Sequence, residues 1–363
     1  MGCLPPENQR GHRFSTFPGC HLAVHAIALF SQPARLDPAR SGWQHRGRSA
    51  GVDRSNLTRR ALYGWHFGKA LISMTGELAI CATFKDEGSD ILEWVAYHWA
   101  VGFEKFFLYD NGSSDFGCWR IRNSNLSRFV TIVDWPKEFD QLDAYRHFCR
   151  EYAGSAEFVA FIDIDEFVYP TSGLSVKEAL KGFRKGATIL VQWLTFGPSG
   201  HNLRPPGLVL ENYTLRLQED HRRCGFVKSI VSMSRGLAVG DTPHVVGGAR
   251  EYVNTRNELV PPHAELPPCH DNIVINHYYT KSLEDWQRKK SRGTAISPRP
   301  NVYYTDADFA AHAGADTHDT RIQRFLPQVK YCLRMPRTTL KPHGSSTPSA
   351  SPGYRPAGAA SCP

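Results

Sequence analysis

FVAFIDIDEFV, residues 158–168, holds the decision about the fold. Phe158 to Ile162 are all apolar, and then Asp163, Asp165 and Glu166 crowd into the next four positions. A short continuous apolar run predicts a core strand of a sheet covered on both faces. The acids mark where the chain leaves that core. On a strand, Asp163 and Asp165 project to the same side. Two carboxylates ~5 Å apart repel by about 3 kcal/mol at an effective dielectric near 20. Either one of them binds a proton or a divalent cation stands beside them, and oxygen donors suit Mg²⁺ or Mn²⁺. A solvated strand end is the plain alternative, because Asp-x-Asp by itself is a weak motif.

The segments before this run repeat its rhythm. LAICATF (78–84) predicts a strand, and KDEGSD follows as a loop in which Asp90 and Glu93 have capping-box spacing. Ile91, Leu92, Val95, Ala96 and Trp99 then recur at helical spacing. KFFLYD (105–110) is a second strand, closed by the turn formers NGSSD. FVTIVDW (129–135) is a third, and DQLDAYRHFCREY predicts a helix with Leu142, Tyr145, Phe148 or Cys149, and Tyr152 on one face. Strands alternating with helices predict an α/β, Rossmann-like, mostly parallel sheet with helices on both faces. In such sheets ligands bind beyond the carboxyl ends of the strands. Three of the four predicted strands end there in acids: Lys85-Asp86-Glu87, Asp110 through Asp115, and Asp163 through Glu166. Beyond residue 186 the runs TILVQWLTF, LVLENYTLRL, KSIVSMSRG and NIVINHYYT are short and separated by Gly/Pro loops. They predict a mixed or antiparallel extension, closed by helices in SLEDWQRKKSRG and around 306–326.

EWVAYHWAVGFEKFFLYDNGSSD, DQLDAYRHFC, FVAFIDIDEF, WLTFGPSGH, KSIV and INHYYTKS, in that order over residues 77–330, resemble the glycosyltransferase 2-like superfamily, family 92 type. The resemblance implies a GT-A nucleotide-sugar fold. It also implies transfer of a sugar from a nucleotide-diphosphate donor, a UDP-sugar by expectation, to a saccharide or glycoconjugate acceptor with inversion. Asp163 and Asp165 match the family's Asp-x-Asp, with metal and ribose or diphosphate roles. Asp110 matches an acid facing the nucleotide base, although an Asp in a type I turn explains it equally well. Lys85, Asp86 and Glu87 match the first nucleotide-contacting loop, where the plain reading is a solvated helix N-terminus. His277 is the expected third metal ligand, since imidazole with carboxylate suits Mn²⁺, and its bland reading is a structural His. Lys281, Arg288, Lys289 and Arg292 could neutralise a leaving diphosphate or simply form a solvated helix face. Asp140, Gln141 and Tyr145 border the donor pocket, with a capping role for Asp140 as the alternative. Trp193, Phe196, Gly200 and His201 suit an acceptor sugar face, or core packing. Inversion needs a general base; the candidates are His201, Glu211, Asp220 and His244, with His201 taken first.

Of 363 residues, 43 are Lys/Arg and 35 Asp/Glu, a formal net charge of +8. Residues 1–75 carry ten Lys/Arg against three Asp/Glu, and residues 335–363 carry three against none, so the remainder is net −2. The globular part therefore lacks the basic footprint of a nucleic-acid binder. The sequence divides into a basic, disordered segment over 1–75, a transferase domain over 76–334 (nucleotide half 76–170, acceptor half 171–334) and a Pro/Ser/Gly-rich disordered tail over 335–363. The basic segment offers a peripheral membrane contact. Its one apolar patch, HLAVHAIALF, is too short to span a bilayer and lacks a convincing cleavage site, though a degenerate signal core stays open. Nine single Cys without a CxxC pair fit reduced thiols and a cytoplasmic location. Two other readings compete, a nucleotidyltransferase or phosphohydrolase and a non-catalytic sugar-binding relative. The acidic KDEGSD loop, with a single Gly, argues against the phosphate loop of the first.

Overall fold

A computed structural model describes residues 76–336 apart from 138–139, 174, 234–237, 248–250 and 295–303. The two expected disordered tails, apart from Met335 and Pro336, lie outside the described residues. Four strands open the fold as a parallel set: β1 (Leu78–Phe84), β2 (Lys105–Asp110), β3 (Val130–Asp134) and β4 (Phe158–Phe161). Helices α1 (Ile91–Ala100), α2 (Gly117–Arg122) and α3 (Gln141–Glu151) fall between them. The second half adds β5 (Glu166–Pro170), β6 (Thr188–Thr195), β8 (Val227–Ser232), β11 (Tyr252–Val253) and β12 (Ile273–His277) to the same sheet. Its order is β3-β2-β1-β4-β8-β6-β12-β5, with β11 on β6. The β4–β8, β8–β6 and β12–β5 pairings are antiparallel and β6–β12 is parallel, so the expected mixed extension is present. Two small ribbons flank the sheet: β7 (Leu215–Arg216) with β13 (Thr317–His318), and β9 (Ala238–Val239) with β10 (Val246–Gly247). The short helices α4 (Val176–Ala179) and α5 (Val209–Asn212), then α6 (Leu283–Arg292), α7 (Asp306–Ala313) and α8 (Leu326–Arg334), complete the described chain.

The sheet is covered on both faces. Trp94, Val95 and Tyr97 of α1 join one core with Ile80, Leu108 and Ala160. Ala144, Tyr145 and Phe148 of α3 join the other with Cys81, Phe107 and Phe161. The periods of 3.6 and 2 place these residues inward. On α3 the buried face is Gln141, Ala144, Tyr145 and Phe148, one step round from the predicted stripe through Leu142. The expected capping box at Asp90 does not form. Neither side chain caps α1, because Asp90 pairs with cations and Glu93 accepts Val209 N (2.7 Å) and Leu210 N (3.0 Å) at the start of α5. LVLENYTLRL is not a strand run but α5 followed by the two residues of β7.

The strand in FVAFIDIDEF stops at Phe161, earlier than predicted, so Asp163 and Asp165 lie in a turn. That turn shapes the sheet. Between β4 and β5 stand β8, β6 and β12. In a flat sheet the four intervening spacings would separate the two strands by ~19 Å. Five residue steps from Phe161 to Glu166 reach ~18 Å only when fully extended, yet Glu166 N bonds back to Asp163 O at 3.1 Å. The sheet must curl to bring its far edge round to β4, and the acidic turn spans the mouth of the curl. Among the described residues no helix is long and apolar enough to cross a membrane, and the six described cysteines are free thiols.

Candidate functional site

The backbone of the acidic turn is tied at several points. Trp94 Nε1 donates to Glu166 O (2.7 Å) and Asp163 O (3.1 Å), Tyr278 N donates to Asp165 O (2.8 Å), and Asp163 N donates to Glu166 Oε2 (2.9 Å). The three acids then divide their surroundings. Asp163 Oδ2 takes Lys228 Nζ of β8 at 2.7 Å, and its Oδ1 takes Gln141 Nε2 of α3 at 2.7 Å. Asp165 Oδ2 takes Lys289 Nζ of α6 at 2.7 Å, while its Oδ1 stands 3.5 Å from His277 Nε2 of β12. Burial raises both Asp side chains, but Lys228 overrides it at Asp163 and Lys289 overrides it at Asp165, so both remain ionised. Glu166 is fully buried with Lys228 3.6 Å away; burial pushes its carboxyl well up, Asp163 and Asp165 add to the push, and it holds its proton. The crowding is thus relieved by one lysine for each ionised acid and a proton on the third.

A second charged layer adjoins the first. Asp90 is buried and pairs with both Lys281 and Arg204; burial would raise it, but Lys281 and Arg204 hold it at about 2. Arg204 also reaches Asp285 Oδ1 at 3.0 Å, and Arg292 joins Glu87 (2.5 Å) to the carbonyl of Lys85 (2.9 Å). Lys281 has φ of 52°, a left-handed conformation uncommon outside Gly and Asn. A cavity of about 340 Å³ opens among these groups. It is lined by Asp165 from the turn, by Asp86 and Glu87 from the loop after β1, and by Lys281, Lys289 and Arg292 around α6.

Asp165, Glu87 and Lys281 thus border one cavity, His277 stands 3.5 Å from Asp165, and Asp163 is held by Lys228 and Gln141; Lys281 is already neutralised by Asp90. Lys85 does not join them: its side chain is exposed and only its carbonyl reaches Arg292. Asp110 spends its carboxylate inside its own turn, on Ser113 N (2.9 Å) and the Cys118 thiol (3.0 Å), which is the type of turn role weighed against base recognition. Asp140 lies 3.6 Å from Lys137, and burial with the neighbouring Asp143 raises its carboxyl; it is Gln141, one residue on, that touches Asp163. His201 is not among the residues that line the cavity. Its Nε2 lies 3.2 Å from Asn212 O, and its ring meets the edge of Tyr213. Phe196 is core, packed on Tyr278, while Trp193 lies 4.2 Å from the His277 ring.

Lys228 and Arg204 are the residues that sequence reasoning missed. Lys228 carried a signal, a lone cation inside the apolar run VKSIVS of a buried strand. Arg204, in the loop HNLRPPG, carried none.

Among the described residues no three His, Cys, Asp or Glu side chains converge on a point that could hold a metal. Asp163 is drawn aside by Lys228. Asp165 Oδ1 and His277 Nε2 still make a suitable pair of donors. Burial lowers His277 so that the imidazole is neutral, and Asp165 is ionised. Hard divalent ions bound for phosphate chemistry commonly take one or two protein ligands and complete their shell from substrate phosphates. Asp165 and His277 fit that kind of ion; a site closed by protein ligands alone does not fit.

The curled α/β sheet with an acidic turn at its mouth and cations around the adjoining cavity is the layout of a GT-A-type domain. Residues 77–256 match the family model "Glycosyltransferase family 92". A family 92 glycosyltransferase of Ricinus communis is 31% identical over 228 residues, covering 60% of this chain and 38% of the relative. Another, of Oryza sativa subsp. japonica, is 29% identical over 234 residues, covering 63% and 37%. Residues 77–256, just under half of the chain, are thus similar to glycosyltransferase family 92. The chain spans under two fifths of the length of these curated relatives, at 38% and 37%. Solved structures similar to it include glucosyl-3-phosphoglycerate synthase from Mycobacterium tuberculosis in complex with Mn²⁺ and uridine-diphosphate-glucose, 18% identical over 33% of this chain and 44% of that one, with a TM-score of 0.25. S. aureus TarS is 10% identical over 70% of this chain and 43% of its own, with a TM-score of 0.29. Likenesses of that size carry nothing over to the site.

Proposed function

We propose that this chain is a metal-assisted glycosyltransferase that moves a sugar from a UDP-sugar to a saccharide or glycoconjugate acceptor with inversion. The observation that carries the reading is the approach of ionised Asp165 to neutral His277, 3.5 Å apart, beside a cavity edged by Lys281, Lys289 and Arg292. A bound Mg²⁺ or Mn²⁺ would be held by Asp165 and His277 and would supply Lewis-acid neutralisation of the donor diphosphate. Lys289 and Arg292 add fixed positive charge where the leaving group gathers electrons. Lys228 and Gln141 hold Asp163 still at the donor's edge. In the transfer, the acceptor oxygen bonds to the anomeric carbon as the bond from that carbon to the phosphate oxygen breaks. The electron pair leaves with the diphosphate, and the acceptor proton goes to a base.

The test is release of UDP from UDP-glucose, UDP-galactose and UDP-N-acetylglucosamine, with Mn²⁺ and methyl glycosides as acceptors. Wild type should turn over in a metal-dependent way, and Asp165→Asn should lose most of that turnover together with Mn²⁺-dependent UDP binding by calorimetry. NMR of the product should show the inverted anomer. Wild type without metal-dependent turnover of any nucleotide sugar would falsify the reading.

A further inference from the structure

We propose that His244 is the general base of the transfer; the inference rests on the function proposed above. Four side chains could serve, and geometry separates them. His201 Nε2 lies against the Asn212 carbonyl at 3.2 Å, so that nitrogen carries the proton. Glu211 is ion-paired with Lys330 and also accepts Leu208 N at 3.0 Å. Asp220 is exposed in the loop after β7 and takes no part in the ion pairs around Asp163 and Asp165.

His244 differs from these three. Its Nδ1 lies 3.1 Å from the carbonyl of Val227, the first residue of β8. A carbonyl can only accept, so the proton resides on Nδ1 and the lone pair on Nε2. Nε2 has no hydrogen-bond partner among the described residues, and the ring is partly exposed. Such a tautomer, fixed by the nitrogen that does not react, is what a general base needs.

The ring is also firmly placed. Its centroid lies 5.4 Å from Trp193 and 5.6 Å from Phe226, and Trp193 in turn lies 4.2 Å from His277. Ser229 Oγ ties the segment to β8, donating to His244 O (3.2 Å) and accepting Val246 N (2.9 Å). His244 is thus one aromatic ring removed from the Asp165–His277 pair. In this assignment the acceptor hydroxyl stands beside Nε2. As its oxygen bonds to the anomeric carbon, Nε2 takes the proton and the imidazolium forms. Three charged or titratable groups face the ring: Lys228 from β8, Asp163 from the turn and His277 from β12. Burial, helped by Lys228, lowers His244 to about 4, so it is free of a second proton at neutral pH; Asp163 acts in the opposite sense but more weakly.

The experiment compares wild type, His244→Gln and His244→Ala in Mn²⁺-dependent transfer from the donor that wild type uses best. The expected result is a fall in kcat of about 10²-fold, the lower end for a general base because this base is weak. The donor KM and the affinity for UDP with Mn²⁺ should stay within about threefold, the scale of a change that leaves ground-state binding intact. External imidazole should restore activity to His244→Ala and not to His244→Gln, which keeps the space filled; a merely structural histidine would show no such rescue. Imidazole ¹⁵N shifts of the resting protein should report the Nδ1–H tautomer. Active wild type with His244→Gln at full kcat, or with Nε2 protonated at rest, overturns this assignment alone. Wild type without transfer from any nucleotide sugar overturns the function as well.

Discussion

Replacing Lys228 by Met tests the account of how three acids share one turn. The Lys228–Asp163 contact of 2.7 Å corresponds to ~6 kcal/mol of attraction at an effective dielectric near 20. Desolvating the two ions consumes several kcal/mol of that, so the intact pair adds little net stability. Removing the lysine alone is different, because Asp163 keeps its charge beside Asp165 and has only Gln141 left. Loss of one member of a buried pair costs about 3–5 kcal/mol. The discount at Asp163 is real, since its side chain is 37% exposed while Lys228 is 1% exposed, and the lower end, ~3 kcal/mol, applies. For a domain of this size that lowers Tm by roughly 6–12 °C. Urea unfolding followed by circular dichroism measures it. Asp163→Asn in the Lys228→Met background should recover at least ~1.5 kcal/mol, a coupling typical of residues in one network. A loss under ~1 kcal/mol, or identical losses with and without Asp163, would show that the acids are balanced by something other than this lysine.

Other outcomes follow from the same geometry. Arg204→Ala should destabilise by about 2–4 kcal/mol, because buried Asp90 is left with Lys281 alone while Asp285 keeps Arg288 at 3.3 Å; a near-neutral change in denaturant midpoint would contradict the pairing. Asp90, held at about 2, adds roughly 2–3 kcal/mol that is present above pH ~4 and lost as pH falls through ~2; Asp90→Asn should remove that acid-side slope from a pH–stability profile. Glu93 has the opposite sign: burial raises it to about 7, so the folded state binds the extra proton and stability declines, by up to about 3 kcal/mol, as pH rises from ~4.5 to ~7. A profile of wild type that stays flat over that window, once compared with Glu93→Gln, would remove this assignment. At Gly197 a Cβ would collide with the carbonyl of His312, so Gly197→Ala should cost about 1–3 kcal/mol, read as a drop in Tm.

The parallel half of the sheet was legible because each strand there is a continuous apolar run and each intervening helix keeps its 3.6 period. The curl was not. It depends on β12 pairing with β5, and nothing in IVINH names EFVYP as its neighbour rather than another apolar strand. For the same reason Asp163 and Asp165 could be recognised as a pair, while their separate lysines could not. Lys228 and Lys289 arrive 65 and 124 residues away in sequence. Asp90 and Glu93 show the converse failure: a local pattern with correct capping spacing was overridden by tertiary partners, Lys281 and the backbone of α5. Of the four residues weighed as a base, only their surroundings separate His201 from His244, and surroundings are a property of the folded chain.

The return of β5 to the far edge has a consequence during synthesis. EFVYP is entirely buried, and its ladder partner among the described strands is β12, which begins at Ile273. While the intervening hundred or so residues are being made, the ribosome presents an apolar strand with both edges bare, a template for pairing with other nascent chains. At ~5–20 residues per second, that window lasts roughly 5–20 seconds. Chains cut short before Ile273 should therefore depend on holding chaperones or precipitate.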